Sequence, residues 1–368
     1  MDVFDKTVEL SLTNVRNVTD SAHFLVVVEG ELLGSRKEIQ ASMTIGRDTS
    51  CRLRFQDPGV SKVHCRVLFD GLRVLVSDVG STNGSYVNGS RIESSVELGV
   101  GDLLQVGSQV LRHEFRSRAE VERERQLAND LEKARAYVAA LIPAPLTTGS
   151  LRTDWSYVPS AVLGGDLFGY HAIDARLTAL YLLDVCGHGA GAAMHSASVF
   201  NVIRNGTLAN TDFRCPEQVL ASLNESFQME RHGGMFLTLW YGVYDARERT
   251  LQYSSAGHPP ALLKRVAAGE LGRLQTLNPP IGVVEGRRFA RESVATLPDD
   301  RLYLFSDGVF EFSARDGRQW ELEDFVRLVQ EKERPGVPES GRLLDALSNA
   351  KRDERFEDDF SLLVASFD

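Results

Sequence analysis

Between Phe24 and Phe115 the chain is a succession of short apolar or alternating runs: FLVVVEG, ASMTIGR, CRLRF, HCRVLFD, RVLVSDV, GSYVNG, DLLQVG and QVLRHEF. Gly, Asp and Asn separate them. Runs of this kind, punctuated by turn residues and lacking helical periodicity, predict an all-β sandwich that ends near Arg116. The pattern then changes abruptly. Arg116 to Leu141 is rich in Ala, Glu, Arg and Leu, holds no Gly and stops at Pro143. Such a stretch predicts a helix. Leu127, Leu131, Ala134, Val138 and Leu141 recur at spacings of four and three, a heptad seam of about two repeats.

Beyond the helix, apolar runs alternate with amphipathic ones. A strand is expected over 177–185, helices over 190–205 and 216–230, and then a hairpin built from FLTLWYGVYDA and TLQYSSAGH. The strand LYLFS, helices over 321–332 and 341–352, and the closing strand SLLVASF follow. This is a layered α+β pattern. A chain of 368 residues exceeds one average domain. The expected division is an N-terminal arm (1–21), an all-β domain (22–115), a helical linker (116–145) and an α+β domain (146–368). Within the arm, 7–17 reads as a short strand or a loose segment.

The run Leu180 to Gly189, LYLLDVCGHG, places one acid, Asp184, near the end of a strand expected to be buried on both faces. A carboxylate there needs a compensating positive charge. Three other acidic landmarks have similar settings: Gly164-Gly165-Asp166, Ser306-Asp307-Gly308 and Asp358-Asp359-Phe360-Ser361. Asp307 closes one apolar run, and Asp358 and Asp359 open another, so loops at strand ends can aim their carboxylates at one place. Any single Asp at a strand end reads as a turn former or helix cap. Oxygen ligands without paired Cys or His suit a hard cation, Mg²⁺ or Mn²⁺, rather than zinc.

The ordered set GGD, DVCGHG, AGHPP (Ala256 to Pro260), PIGV (Pro280 to Val283), SDG and DDFS resembles the SpoIIE and RsbU branch of the PPM-type metal-dependent protein serine/threonine phosphatases. The resemblance runs from about Ala136 to the C-terminus. It implies two stacked sheets covered by helices, with a site for two Mn²⁺ or Mg²⁺ ions at one edge. By the same resemblance Asp184 bridges the ions and Asp307 and Asp358 complete one shell. The Val185 carbonyl serves the other ion, and Asp166 acts directly or through water. Asp184 and Asp307 are thus the expected catalytic residues, and Asp359 is a neighbour rather than a ligand. The chain departs from the family at Gly169, where many members carry a further acid in GGDxxD. Cys186 stands where better-known relatives have the His of DGHG, so no general acid is assigned. Arg152 and Arg204 are the candidates for a phosphate-binding Arg, while His188 and His258 are read as shaping loops.

In the all-β region a second series stands out: Gly46-Arg47, Ser61-Lys62-Val63-His64, Ser81-Thr82-Asn83-Gly84 and Val87-Asn88-Gly89. It resembles a forkhead-associated (FHA) domain over roughly residues 22–115, which implies recognition of phosphothreonine in a partner. Arg47 offers a planar fork to a dianion, Ser61 and Thr82 offer hydroxyls, and Lys62 adds a compact charge. Asn83 is expected to bond the ligand's backbone, and His64 to hold the loop. Gly84, Asn88 and Gly89 read as turn formers.

Composition adds exclusions. At 43% apolar and 25% charged, with a net charge of −10, the chain has an ordinary globular balance and no basic footprint for nucleic acid. Cys51, Cys65, Cys186 and Cys215 form no CxxC pair and read as reduced thiols. There is neither a signal-peptide pattern nor an apolar run long enough to span a membrane. A soluble cytoplasmic protein is expected.

Together these readings imply a phosphopeptide sensor joined by a helix to a phosphoprotein phosphatase. By resemblance, its substrate would be a phosphorylated STAS-type anti-sigma-factor antagonist, or a phosphoserine or phosphothreonine protein more generally. In the latter case a kinase would supply the FHA ligand. The linker helix either packs on the catalytic domain or pairs across a homodimer. The competing expectation is a phosphothreonine-dependent adaptor whose phosphatase fold is inactive.

Overall fold

The computed structural model describes residues 20–332, 334, 336–353 and 355–368, so the segment 7–17 lies outside the described residues. The chain divides into two compact units, Met1–Ala128 and Asn129–Asp368. In the first, eleven short strands among the described residues make two sheets. They are β1 (Ser21–Glu29), β2 (Arg36–Glu38), β3 (Ser42–Gly46), β4 (Leu53–Arg54), β5 (Cys65–Phe69), β6 (Val74–Asp78), β7 (Ser85–Val87), β8 (Ser90–Arg91), β9 (Val96–Glu97), β10 (Leu103–Val106) and β11 (Gln109–Ser117). One sheet runs in the order β2-β1-β11-β10-β7-β8, the other β4-β3-β5-β6-β9. Alternation fills the space between them with one face of each: Leu25, Val27, Ile45, Val67, Val76, Leu104 and Leu111 are all buried in a shared cluster. The expected sandwich is present. The run CRLRF yields only the two-residue β4, because Cys51 and Phe55 are buried from loop positions on either side of it.

The second unit stacks two five-stranded antiparallel sheets. One contains β12 (Leu151–Val158), β17 (Ala261–Arg265), β18 (Glu270–Leu274), β20 (Arg301–Phe305) and β21 (Phe360–Phe367), in the order β12-β21-β20-β17-β18. The other contains β13 (Asp166–Ala172), β14 (Leu177–Val185), β15 (Leu237–Asp245), β16 (Thr250–Ala256) and β19 (Glu292–Ala295), ordered as numbered. Strict period two explains why β20 and β21 carry apolar residues on both faces. Leu302, Leu304, Leu363 and Ala365 face the core between the sheets, while Tyr303, Phe305, Leu362 and Val364 face a second cluster that includes Phe325, Leu328, Leu343 and Leu347.

Among the described residues five α-helices accompany these strands: α1 (Arg118–Ala139), α2 (Ala190–Arg204), α3 (Pro216–Ser226), α4 (Leu322–Gln330) and α5 (Glu339–Ala350). Helix α3 is shorter than expected. The chain leaves helical geometry at Phe227, where the Met229 amide pairs with the Gly282 carbonyl at 3.1 Å instead of continuing the ladder. Buried Asn224 ties α3 to the PIGV loop, donating to the Val284 carbonyl and accepting from the Gly282 amide, both at 2.8 Å. That motif is therefore a structural clasp.

In the linker helix the seam divides. Leu131 and Ala134 pack on the core of the second unit and Val138 is buried in it, as is Leu141 just beyond the helix; Leu127 is 62% exposed. Truncating Leu141 to Ala should cost roughly 2–3 kcal/mol by leaving a cavity. Leu127→Ala should stay within about 0.5 kcal/mol, as surface changes do. Denaturant unfolding of the full chain compares them; equal costs would show that Leu127 is buried against a second copy.

Candidate functional site

Four sequence-separated segments bring their acids to one end of the two sheets in the second unit. Strands β13 and β14 pair antiparallel with Asp166 directly opposite Asp184, and Asp184 faces Thr238 of β15 on its other side. From the other sheet, Asp307 opens a 3₁₀ turn immediately after β20, and Asp358 and Asp359 immediately precede β21. The ends of β20 and β21 are tied together by Ser306, whose hydroxyl donates to the Asp359 carbonyl at 2.9 Å and whose amide donates to the Ser361 carbonyl at 3.1 Å.

The glycines of these motifs are steric requirements. A Cβ on Gly308 would lie 2.3 Å from the Asp359 carbonyl oxygen, and one on Gly164 would lie 2.5 Å from Asp359 Oδ2. After Asp184 the chain reverses through Gly187 and Gly189, with φ of 93° and 85°, a region open to Gly at little cost.

Asp359 is buried and acts as the organiser. Its Oδ1 accepts from the Ser160 amide and hydroxyl at 2.8 and 2.9 Å, and its Oδ2 accepts from the Gly165 amide at 2.6 Å, which holds the GGD loop in place. The expectation that it neighbours the ligands agrees with this geometry. The positioning role itself was not legible, because it depends on a contact almost two hundred residues away in sequence.

The electrostatics of the remaining acids are set by burial and by one another. Asp166 is 2% exposed, with Oδ2 lacking any hydrogen-bond partner. Burial raises its pKa well above the carboxylate range, and Asp184 and Asp359 add to the effect; the Ser306 and Ser361 hydroxyls favour the charge without overcoming it. Burial, then Asp307, pushes Asp184 up to about 7. Burial, then Asp358 and Glu311, pushes Asp307 up to about 6. Asp358 is raised by burial and by Asp359, and exposed His188 partly offsets this.

This donor set is all oxygen and deficient in positive charge, which fits a hard divalent cation. Asp166, Asp184, Asp307, Asp358 and the Val185 carbonyl would hold it. Among the described residues, however, no three His, Cys, Asp or Glu side chains are drawn together closely enough to enclose an ion as they stand. The acids form a loose cluster, as uncompensated like charges do.

Other expectations resolve differently. Gly169 is not a vacant ligand position: it lies opposite Tyr181 within the sheet, and a Cβ there would meet the Tyr181 hydroxyl at 2.7 Å. Arg152 is tied to Asp368 at 2.8 Å, and Arg204, at the end of α2, acts on His171 and Tyr181, so neither is placed to bind phosphate at the acids. His258 is 2% exposed and held neutral, its pKa lowered by burial to about 4, which agrees with a loop-shaping role.

In the first unit, loops at one end of the sandwich assemble the second polar group. The Arg47 amide donates to the Ser61 carbonyl at 2.9 Å, and the Thr82 amide donates to Ser61 Oγ at 3.0 Å. Asn83 Nδ2 donates to the Gly59 carbonyl at 2.8 Å, which leaves its amide oxygen for a ligand. Arg47, Lys62, Thr82 and Asn83 are exposed, and Ser61 half-buried. His64 is fully buried, accepting from the Ser61 amide at 3.0 Å and lying 3.1 Å from the Gly84 carbonyl, so it braces two of these loops. Gly84, Asn88 and Gly89 all have positive φ, as their reading as turn formers requires.

A carboxyl in an unfolded chain titrates near 4, whereas Asp184 in the fold does so at about 7. The folded state therefore binds the proton more tightly, and that stability is lost as pH rises through about 7. In chelator-treated protein the thermal midpoint should fall more steeply between about pH 5 and pH 8 for wild type than for Asp184→Asn, by several degrees given about 2–4 °C per kcal/mol. Adding Mn²⁺ or Mg²⁺ at the higher pH should raise the wild-type midpoint and move the variant less. Parallel pH slopes would show that repulsion at Asp184 does not govern this site.

A family profile described as Stage II sporulation protein E (SpoIIE) matches residues 174–368, and one described as FHA domain matches residues 43–107. Phosphoserine phosphatase RsbP of Bacillus subtilis is 31% identical over 186 residues, covering 50% of this chain and 46% of RsbP. FHA domain-containing protein FhaB of Mycobacterium tuberculosis is 32% identical over 98 residues, 26% of this chain and 63% of FhaB. The chain thus spans about half the length of RsbP and somewhat less than two thirds of FhaB. The solved SiaA-PP2C domain of Pseudomonas aeruginosa shares the fold, with a TM-score of 0.58 at 19% identity over 67% of this chain and 98% of that domain. With more than half of its residues matched to that profile, the chain belongs to the SpoIIE family and carries an FHA domain ahead of its PP2C-type fold.

Proposed function

We propose that this chain is a metal-dependent protein serine/threonine phosphatase regulated through phosphothreonine binding by its FHA domain. One observation carries the catalytic half. Asp166 and Asp184 stand opposite each other across β13 and β14, with Asp307 and Asp358 acting on the same charge from the second sheet. Such a cluster is costly unless divalent cations neutralise it. Asp184, Asp307, Asp358, Asp166 and the Val185 carbonyl would hold two Mn²⁺ or Mg²⁺ ions. When bound, these supply Lewis acidity toward water and the phosphoryl oxygens. Asp359 keeps the GGD loop at the site through Ser160 and Gly165.

The substrate is proposed to be a phosphoserine or phosphothreonine protein, and more finely a STAS-type anti-sigma-factor antagonist. The resemblance to RsbP, a phosphoserine phosphatase, supports this. A cytoplasmic location accords with four free cysteines, and no described helix is long and apolar enough to cross a membrane. Exposed Leu127 leaves the first part of the heptad seam open to a second copy of the chain.

A second reading, an adaptor with an inactive phosphatase fold, has one observation in its favour: no trio of described ligands closes on a point. Hydrolysis of a phosphoserine peptide separates the two. The full chain with Mn²⁺ should release phosphate, and Asp184→Ala and Asp307→Ala should each lower kcat by about a hundredfold or more, the scale expected when a charge-stabilising group is lost. Full activity in either variant rejects the assigned site, and a wild type inactive under every metal condition and with FHA ligand bound favours the adaptor. For the sensor half, Arg47→Ala should weaken binding to phosphothreonine peptides at least about tenfold, measured by fluorescence anisotropy, as expected for a lost charge-assisted bidentate pair. Unchanged affinity would remove the assigned role of Arg47.

A further inference from the structure

We propose that the recess beside Arg47 is a second anion subsite, formed by Arg54, which selects phosphothreonine peptides carrying another acidic or phosphoryl group close to the phosphothreonine. This rests on the phosphothreonine reading given above. The recess is lined by Arg47, Asp48, Thr49, Arg54, Gln56 and Lys62. Arg54 belongs to β4, whose register beside β3 places it next to Gly46 and so at the root of Arg47. Its neighbour Leu53 points inward and is 6% exposed, while Arg54 points outward. Arg54 Nε donates to the Arg47 carbonyl at 3.0 Å, so one edge of its guanidinium is anchored and the terminal nitrogens remain for a ligand.

The recess brings three cations together. Arg36, Arg73, Arg112, Arg116 and Arg118 of the same unit each meet a carboxylate. Among the described residues, none lies within ion-pair distance of Arg47, Arg54 or Lys62. The only acid lining the recess is Asp48, and its Oδ1 is occupied by the Ser50 amide and hydroxyl at 2.9 and 2.8 Å. Three cations therefore face one carboxylate, a net excess of two positive charges in the recess. A phosphothreonine dianion can be met by Arg47, Lys62 and the Ser61 and Thr82 hydroxyls, and the terminal nitrogens of Arg54, beside Asp48, then stay open to a second acceptor. Thr49 and Gln56 add neutral hydrogen-bonding groups at the same rim. A planar, permanently charged guanidinium fixed at one edge is suited to a carboxylate or a phosphoryl group.

Fluorescence anisotropy of the full chain with three peptide sets tests this. One set carries a single phosphothreonine with neutral flanks. In the others, glutamate or phosphoserine is walked through each flanking position. At one or more positions the added anion should tighten binding, by roughly threefold for glutamate and about tenfold for phosphoserine, and raised salt should diminish the gain. Arg54→Gln should abolish the gain while leaving the singly phosphorylated peptide within about twofold of wild type. If no flanking anion improves affinity, or Arg54→Gln retains the improvement, the subsite is overturned while the phosphothreonine reading stands. If Arg47→Ala leaves the singly phosphorylated peptide unaffected, the parent reading fails instead. A glutamate gain without a larger phosphoserine gain identifies the ligand as an acidic rather than a doubly phosphorylated segment.

Discussion

Like charges drawn together at the edge where two sheets meet, one buried, two half-buried and one exposed, are the constraint on which the second unit depends. Asp166, Asp184, Asp307 and Asp358 all have raised pKa values, with burial as the leading cause and neighbouring acids next. Hydrophobic packing brings them there. The apolar runs that end in these acids must bury both faces, and doing so stacks β14 against β20 and β21. The fold thus does electrostatic work, holding carboxylates where water screens them only in part, and a divalent cation is the natural partner for such a site.

What keeps the cluster in order is a set of hydrogen bonds that carry no chemistry of their own. Asp359 binds the GGD loop, Ser306 binds the end of β21, and Gly308 and Gly164 give the backbone room to approach. AGHPP and PIGV, equally prominent in the sequence, serve the loops around β15 and β16, with Asn224 clasping the PIGV segment. The first unit is built in the same manner. His64 is buried to brace two loops, and Arg47, Lys62, Thr82 and Asn83 are left at the surface as a consequence. In the first unit the bracing residue of the motif lies inside and the polar ones at its tip, whereas in the second Asp166 is itself buried.

Period two and the turn residues were enough to read the sandwich, the strand 177–185 and the hairpin after it, and helix propensity was enough to read α1 within two residues at each end. The ordered motifs likewise singled out the acids that the sheets bring to one end and the polar loop residues exposed at one end of the sandwich. Strands β12, β13, β17, β18 and β19 were not legible. β17, β18 and β19 are short, β12 mixes polar with apolar positions, and β13 begins at the very aspartate that reads as a loop residue, so tertiary pairing with β14 rather than intrinsic preference makes it a strand. The end of α3 was misread for a related reason: the amide of Met229 finds a partner in Gly282, far along the chain.

The chain's own letters determined which residues are candidates for chemistry, because Asp, Arg, Ser and Gly at turn positions declare themselves by type and spacing. They could not say how those residues act on one another. Gly169 looks like a missing ligand until the Tyr181 ring is seen to occupy its side of the sheet. Arg152 and Arg204 look available until their neighbours are known, and Arg54 looks ordinary until β4 lies beside Arg47. Burial, proton affinity and unpaired charge are properties of distance between segments far apart in sequence, and distance is supplied only when the sheets close.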